Sequence, residues 1–366
     1  MKKKSKIFSL VLVAAMVLGL VGCSTSNQGS SEAGSATTAN TSGEAAVSDL
    51  VPEPQKRNEP LHIAYVNAGM NTYYSLVLTG MQEEIERYGG DAVGTIDVYS
   101  PTNVSKMVEE QIGFLETLLQ DDTLDVLCFS THNDTEFIPY LKQFCEKGVS
   151  VYLFNMPAQD VTNEYYVSLV SYDFYEAGKL AGAWIKDNMA DEDVKMLYLE
   201  GQEGTHNTVR TEGFMEGIEG ADNIEIVVSQ PADWTRQGGQ EVTENALQSN
   251  PEINCVYGPY DEMPLGAIVA LKDAGKLAET TVVGYDCTED GYNAILNGEM
   301  AASVNTDAKQ MGSNMIDAII AHDLEGKEVE RSIMNKLTVI DSTNTDLIPS
   351  DNYEYTKQEK SKEIEK

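Results

Sequence analysis

Leu61-His62-Ile63-Ala64-Tyr65-Val66, Leu124-Asp125-Val126-Leu127-Cys128-Phe129 and Val149-Ser150-Val151-Tyr152-Leu153-Phe154 are three runs of strand length that stay apolar almost throughout. A strand with one wet face alternates apolar and polar residues, so runs without alternation belong to strands covered on both faces. Further runs at 96 to 99, 195 to 199, 224 to 228, 253 to 257, 280 to 285 and 301 to 305 extend the series. Helical periodicity lies between them: Tyr74, Val77, Leu78, Met81, Ile85 and Tyr88 share one helix face, as do Val104, Met107, Val108, Ile112, Leu115 and Leu119. A strand and helix alternation of this kind predicts an α/β protein of the doubly wound, parallel-sheet class. Residues 61 to 345 suffice for two such lobes.

In open parallel sheets ligands bind beyond the carboxyl ends of the strands. The segments that follow the runs are Asn67 to Tyr74, Ser130 to Asn133, Asn155-Met156, Gly201 to Arg210, Gln230 to Trp234, Gly258 to Asp261, and Asp286. They are rich in amides, carboxylates and aromatic rings. Amides and carboxylates engage adjacent hydroxyls with directed hydrogen bonds, Arg210 adds a fork of donors, and Tyr73, Tyr74, Trp234 and Tyr260 offer flat faces to apolar C–H surfaces. This chemistry suits a carbohydrate.

The N-terminus sets the compartment. Lys2, Lys3, Lys4 and Lys6 precede an uncharged apolar run from Ile7 to Leu20, then Leu20-Val21-Gly22-Cys23. The run is short for a spanning helix, and the layout is that of a signal peptide, residues 1 to 22. Small Gly22 before Cys23 resembles the bacterial lipobox, which implies diacylglycerol on Cys23 and an extracytoplasmic protein held at a cell membrane; an uncleaved anchor or plain secretion are the alternatives. Residues 23 to 58 carry almost no large apolar side chain and read as a disordered tether, and 349 to 366 as a loose charged tail.

The formal charge is −34, and −38 once the four signal lysines are removed. A surface so acidic repels nucleic acid. Cys128, Cys145, Cys255 and Cys287 form no CxxC pair and read as buried thiols, and the four histidines, His62, His132, His206 and His322, show no ligand spacing, so no metal and no cofactor is expected.

Four stretches carry a family resemblance: Ser229-Gln230-Pro231-Ala232-Asp233-Trp234; Asp261-Glu262-Met263 with Leu265-Gly266-Ala267; Val282-Val283-Gly284-Tyr285-Asp286; and Ala301-Ala302-Ser303-Val304. Over residues 61 to 345 the chain resembles the ribose- and galactose-type periplasmic binding proteins of the type I fold, the receptors of bacterial ABC sugar transporters. The resemblance implies a monomer of two lobes joined by three crossings near Tyr172-Asp173, Thr306 and Lys336, with an N-terminal lobe of 61 to 172 plus 307 to 335 and a C-terminal lobe of 173 to 306 plus 336 to 345.

It also implies a site: Asn67 and Asn71 in the first loop, Tyr73 and Tyr74 as an aromatic pair, Asn155, Trp234 completing the stack, Arg210 and Asp286 on the hydroxyls, with Tyr260, Asn305 and Thr306 beside them. Asn155-Met156 stands where the ribose receptor has an Asp-Arg pair, which removes a charged donor. The partners it implies are a sugar and an ABC permease; a chemoreceptor or sensor kinase is the alternative. A glycosidase reading would draw on Asp261, Glu262 and Asp286, but these lie in a pattern that binds without chemistry. The fold also serves lactose-repressor-type proteins, which the signal peptide and the acidic surface exclude.

Overall fold

A computed structural model describes residues 48–132, 134–158 and 161–365. The signal segment, Cys23, the tether as far as Val47, and Asn133 lie outside the described residues. In chain order the elements are β1 (Leu61–Val66), α1 (Thr72–Tyr88), β2 (Gly94–Tyr99), α2 (Met107–Leu118), β3 (Val126–Phe129), α3 (Ile138–Glu146), β4 (Ser150–Phe154) and β5 (Ser168–Ser171). There follow α4 (Phe174–Asn188), β6 (Val194–Glu200), α5 (Thr205–Gly217), β7 (Ile224–Pro231), α6 (Arg236–Ser249), β8 (Cys255–Tyr257) and α7 (Glu262–Asp273). The chain continues with β9 (Thr281–Asp286), α8 (Glu289–Leu296), β10 (Ala302–Asn305), α9 (Ala308–Ile319), β11 (Ser332–Met334) and β12 (Thr338–Asp341).

The strands form two six-stranded sheets, in the orders β2-β1-β3-β4-β5-β11 and β7-β6-β8-β9-β10-β12. All neighbours are parallel except β10 and β12. The runs that lacked alternation are buried along their length: every residue of β3, β4 and β5 is covered, as a sheet flanked by helices on both faces requires. Helix α9 returns to the first sheet and packs on α1, while α4 belongs to the second and packs on α5. Both sheets reverse order beside their first strand, β1 or β6, and the loops after those strands face one cleft.

The chain passes between the sheets three times, at Tyr172-Asp173, Thr306-Asp307 and Asn335–Leu337. Asn335 laces the three together. Its backbone N–H donates to Ser171 O at 2.7 Å, and its side-chain amide donates to Thr306 O and Asp307 O at 3.0 and 2.7 Å. A hinge built this way bends at a few residues while each lobe stays rigid.

Two terminal readings need correction. The stretch expected to be tether is bound to the body from Ser48: Gln55 N–H donates to His322 O, Arg57 N–H to Leu324 O, and Arg57 pairs with Asp125 at 2.5 Å. The tail from 349, expected to be loose, lies against α1, α8 and α9, with Tyr353 beside Tyr292 and Lys362 bridging Glu84 and Asp317. Scattered contacts hold both stretches, backbone hydrogen bonds and ion pairs together with single apolar side chains such as Val51, Tyr353 and Ile364, and none of these makes a periodic pattern. The thiols of Cys128, Cys145, Cys255 and Cys287 are free and buried, and no helix among the described residues is long and apolar enough to cross a membrane.

Helices α4 and α5 approach closely through glycine. A Cβ on Gly178 would stand 2.1 Å from Arg210 O, and one on Gly213 would stand 1.9 Å from Tyr175 O. This contact sets the height of Arg210 over the cleft. Gly213→Ala is expected to destabilise the protein by about 2 kcal/mol through overpacking, measured by urea unfolding; an unchanged midpoint would contradict the packing.

Candidate functional site

The cleft between the lobes has a volume of about 540 Å³ and is lined from both sides. From the first lobe come Asn71, Tyr73, Tyr74, His132 and Asn155; from the second come Gln202, His206, Arg210, Trp234, Tyr260 and Asp286. Asn71 caps α1, its Oδ1 accepting from Tyr74 N–H at 3.0 Å, and so fixes the start of the helix that carries both tyrosines. Tyr73 and Tyr74 meet edge to face with centroids 5.8 Å apart, and the Tyr74 hydroxyl is held by Ser130 and by the Asn155 amide at 3.1 Å each.

Arg210 is buried at the cleft floor, and among the described residues no carboxylate is in hydrogen-bond contact with it. One terminal nitrogen donates to Pro259 O and the other to the Tyr172 hydroxyl, both at 2.6 Å. Phe174, Trp234 and Tyr285 surround the guanidinium at 4.9, 5.4 and 4.4 Å from their ring centroids. The indole of Trp234 lies so close over Gly201 that a Cβ there would fall 1.9 Å from the ring. Three rings thus box the guanidinium, and among the described residues its Nε has no hydrogen-bond partner.

Asp286 ends β9 with φ +89° and is followed by Cys287 at +48°. Asn155 after β4 (+49°), Asp233 and Trp234 after β7 (+55° and +61°) and Asp307 after β10 (+54°) are also in the left-handed region, which non-glycine residues rarely adopt. All six lie in or beside the cleft and hinge, where strain of this kind gathers around binding sites. Burial pushes the Asp286 carboxyl up to about 6, against the lowering effect of the Arg210 guanidinium and of the Thr306 hydroxyl, which donates to it at 3.0 Å.

Three of the expected site residues do not line the cleft. Asn67 is fully buried and its Oδ1 accepts from Gly69 N–H and the Ser100 hydroxyl, both at 2.8 Å, so it shapes the first loop from behind. Thr306 stands behind Asp286, and Asn305 caps the Asp307 backbone. Asp261 faces inward: it is seated against Gly284 and Gly291 and accepts from Tyr285 N–H, Thr288 N–H, and the hydroxyls of Thr288 and Ser303. Glu262 reaches the cleft, but Arg236 holds it with a two-pronged ion pair.

The histidines His132 and His206 were not assigned to the site from sequence, since neither stands in a ligand-like spacing, yet their rings meet across the cleft with centroids 5.1 Å apart. His206 Nε2 lies 3.1 Å from Asn155 O on the opposite lobe, and its Nδ1 has no partner. With Arg210 Nε, Asn155 Oδ1 and the Tyr260 hydroxyl it makes four buried polar groups with unmet hydrogen bonds around one cleft. An unmet buried group costs roughly 1 to 3 kcal/mol, so the set is suited to a ligand bearing several hydroxyls.

Burial, with Arg210 adding to it, pushes the His132 imidazole down to about 4, and burial holds His206 well below its ordinary value. A histidine lowered in the folded state contributes stability that is present above its unfolded pKa of about 6.5 and lost as the pH falls toward 4. The raised pKa values of Asp261 and Asp286 act in the opposite sense, so the histidine effect is read as a difference between variants. From pH 7 to pH 4.5 the wild type is expected to lose roughly 2 kcal/mol more stability than His132→Gln; parallel pH profiles in thermal unfolding would contradict this.

Comparison with known proteins gives the same picture from another side. A model of the periplasmic binding protein domain matches residues 63–328. The ribose import binding protein RbsB of Haemophilus influenzae is 38% identical over 176 residues, which cover 48% of this chain and 58% of that protein. The galactofuranose-binding protein YtfQ of Escherichia coli is 31% identical over 211 residues, 56% of this chain and 66% of that one. The match thus spans somewhat more than half the length of the ribose relative. A crystal structure from Mycobacterium smegmatis in complex with β-D-fucofuranose superposes with a TM-score of 0.69 at 26% identity, covering 81% of this chain and 96% of that one. Two parallel-sheet lobes, three crossings and a cleft at the strand ends, together with a family model that matches well over half of the sequence, establish that the chain belongs to the periplasmic binding protein family and has its type I fold.

Proposed function

We propose that this chain is the extracytoplasmic substrate-binding protein of an ABC sugar transporter, trapping a monosaccharide or similar polyhydroxy ligand by closure of its lobes and presenting it to a permease. The observation that carries the reading is the set of unmet polar groups, Arg210 Nε, Asn155 Oδ1, His206 Nδ1 and the Tyr260 hydroxyl, placed among the rings of Tyr73, Tyr74 and Trp234. Rings cover the C–H faces of a sugar and the unmet groups take its hydroxyls. Relatives named for ribose and galactofuranose, and a neighbour holding a fucofuranose, support the ligand class.

The carboxylates support binding without catalysis. Asp261 is saturated by its own donors and Glu262 is paired with Arg236, so neither is free to act as the acid or base that glycoside hydrolysis uses. A lipid on Cys23 would keep such a receptor beside its permease; mass spectrometry of the membrane-extracted protein tests that part of the reading, a diacylglyceryl mass on an N-terminal Cys23 supporting it and an unmodified Cys23 opposing it.

A thermal-shift screen against pentoses, hexoses, polyols and nucleosides should raise the melting temperature with sugars, since a ligand that prefers the folded state stabilises it. With the best sugar, calorimetry should show Trp234→Ala weakening binding by about 1 to 3 kcal/mol through lost stacking, and Arg210→Ala by at least as much, because its hydroxyl partners are left unpaired in a dry cleft. Undiminished affinity in both variants would move the site elsewhere.

A further inference from the structure

The C-terminal segment crosses the hinge a fourth time. After β12 in the second lobe, Tyr353 packs against Tyr292 of α8, with centroids 5.6 Å apart, and its hydroxyl donates to Cys287 O at 2.8 Å. On both sides of Tyr353 the chain is held by the first lobe. Lys309 of α9 donates to Asp351 O and Glu354 O at 3.0 and 3.1 Å, and Thr356 N–H donates to Glu83 Oε1 of α1 at 2.8 Å. The grip continues along α1: Ser361 and Lys362 N–H donate to Arg87 O, Lys362 pairs with Glu84 at 2.7 Å and Asp317 at 2.8 Å, and its ammonium lies over the Tyr88 ring at 5.2 Å.

The second-lobe end of this strap lands on the turn that carries Asp286. Asp286 and Cys287 both have left-handed backbone, a conformation that persists only where surrounding bonds impose it. Three bonds do so: Cys287 N–H donates to the Ser303 hydroxyl at 2.9 Å, Thr288 N–H to Asp261 at 2.6 Å, and the Tyr353 hydroxyl closes the turn from outside. We propose that residues 353–365 are a tie between the lobes and that Tyr353 is a positioning residue, which holds the Asp286–Cys287 turn in its ligand-binding geometry and couples that turn to hinge motion. Opening the lobes pulls the strap against Lys309 and Glu83, and the pull reaches Asp286 through Tyr353. Only the affinity arm of the test below rests on reading the cleft as a sugar site.

The test uses hydrogen–deuterium exchange on the ligand-free full chain, on Tyr353→Phe, and on a chain ending at Asn352. The phenylalanine keeps the ring on Tyr292 and removes the hydroxyl with its hydrogen bond to Cys287 O and its 3.7 Å contact to Cys287 Sγ, so exchange in peptides spanning Asp286–Thr288 should rise about tenfold, with the strands of both sheets unchanged. The shortened chain should show the same rise together with faster exchange at 153–156 and 204–207, where His206 meets Asn155. Calorimetry with D-ribose, D-galactose and D-allose should then give affinity reduced by about tenfold in Tyr353→Phe, through faster dissociation. Unchanged exchange at Asp286–Thr288 in Tyr353→Phe, or a rise spread evenly over both lobes, would overturn the proposal, and the substitution decides the matter whether or not the shortened chain folds. A localised rise in a protein that binds none of the three sugars would leave the tie standing and count against the sugar reading.

Discussion

Everything in the cleft is arranged around one buried cation. Arg210 is kept charged in an interior that would penalise a bare guanidinium, and the chain meets that cost with rings and neutral acceptors: Phe174, Trp234 and Tyr285 around the plane, Pro259 O and the Tyr172 hydroxyl in it. Tyr172 sits at the first crossing, so the arginine of one lobe is fastened to the hinge itself. The close packing of α4 on α5 sets its height, and Asp286 shares its field while keeping its own oxygens toward the cleft and Thr306. Removal of the Tyr172 hydroxyl would leave an Arg210 terminal nitrogen buried without its partner.

The two sheets supply rigidity and the crossings supply motion. Strands covered on both faces make each lobe a stiff body, while Asn335 ties the three crossings at a single point, so that bending is confined to a few residues. Histidines, an asparagine carbonyl and the rings of both lobes converge on one cleft in this structure. A ligand that fills the unmet hydrogen bonds therefore favours the closed arrangement, and its affinity for that arrangement over the open one is what drives closure.

Much of the lobe architecture was legible in the sequence because burial on both faces leaves a direct mark, an apolar run without alternation, as at β3 and β4. Short β5 and β11 carry weaker marks; β11 sits at a sheet edge and pairs over three residues only. Arg210, Trp234 and Asp286, read as site candidates from their position after strands and from the family resemblance, do line the cleft. Asn67 was not separable from Asn71 by that logic, since an amide after a strand looks the same whether it turns into the cleft or back into its own loop. His132 and His206 lie far apart in sequence and meet only in the folded two-lobed body, and the left-handed backbone at Asn155 and Asp286 has only the weak signal that asparagine and aspartate adopt it more readily than other non-glycine residues. The docking of both terminal stretches was hidden for a related reason: it is made by scattered backbone bonds, charges and single apolar side chains, which leave no periodic trace.

The central claim is that the unmet groups of the cleft are the hydrogen-bonding half of a sugar site. Its most direct test is a crystal structure of the protein grown with the sugar that most raises its melting temperature. The account predicts a single sugar ring between Tyr73, Tyr74 and Trp234, with hydroxyl oxygens within hydrogen-bond distance of Arg210 Nε, His206 Nδ1, Asn155 Oδ1 and the Asp286 carboxylate. A sugar seated elsewhere, or seated in the cleft with these atoms still unpaired, would contradict it.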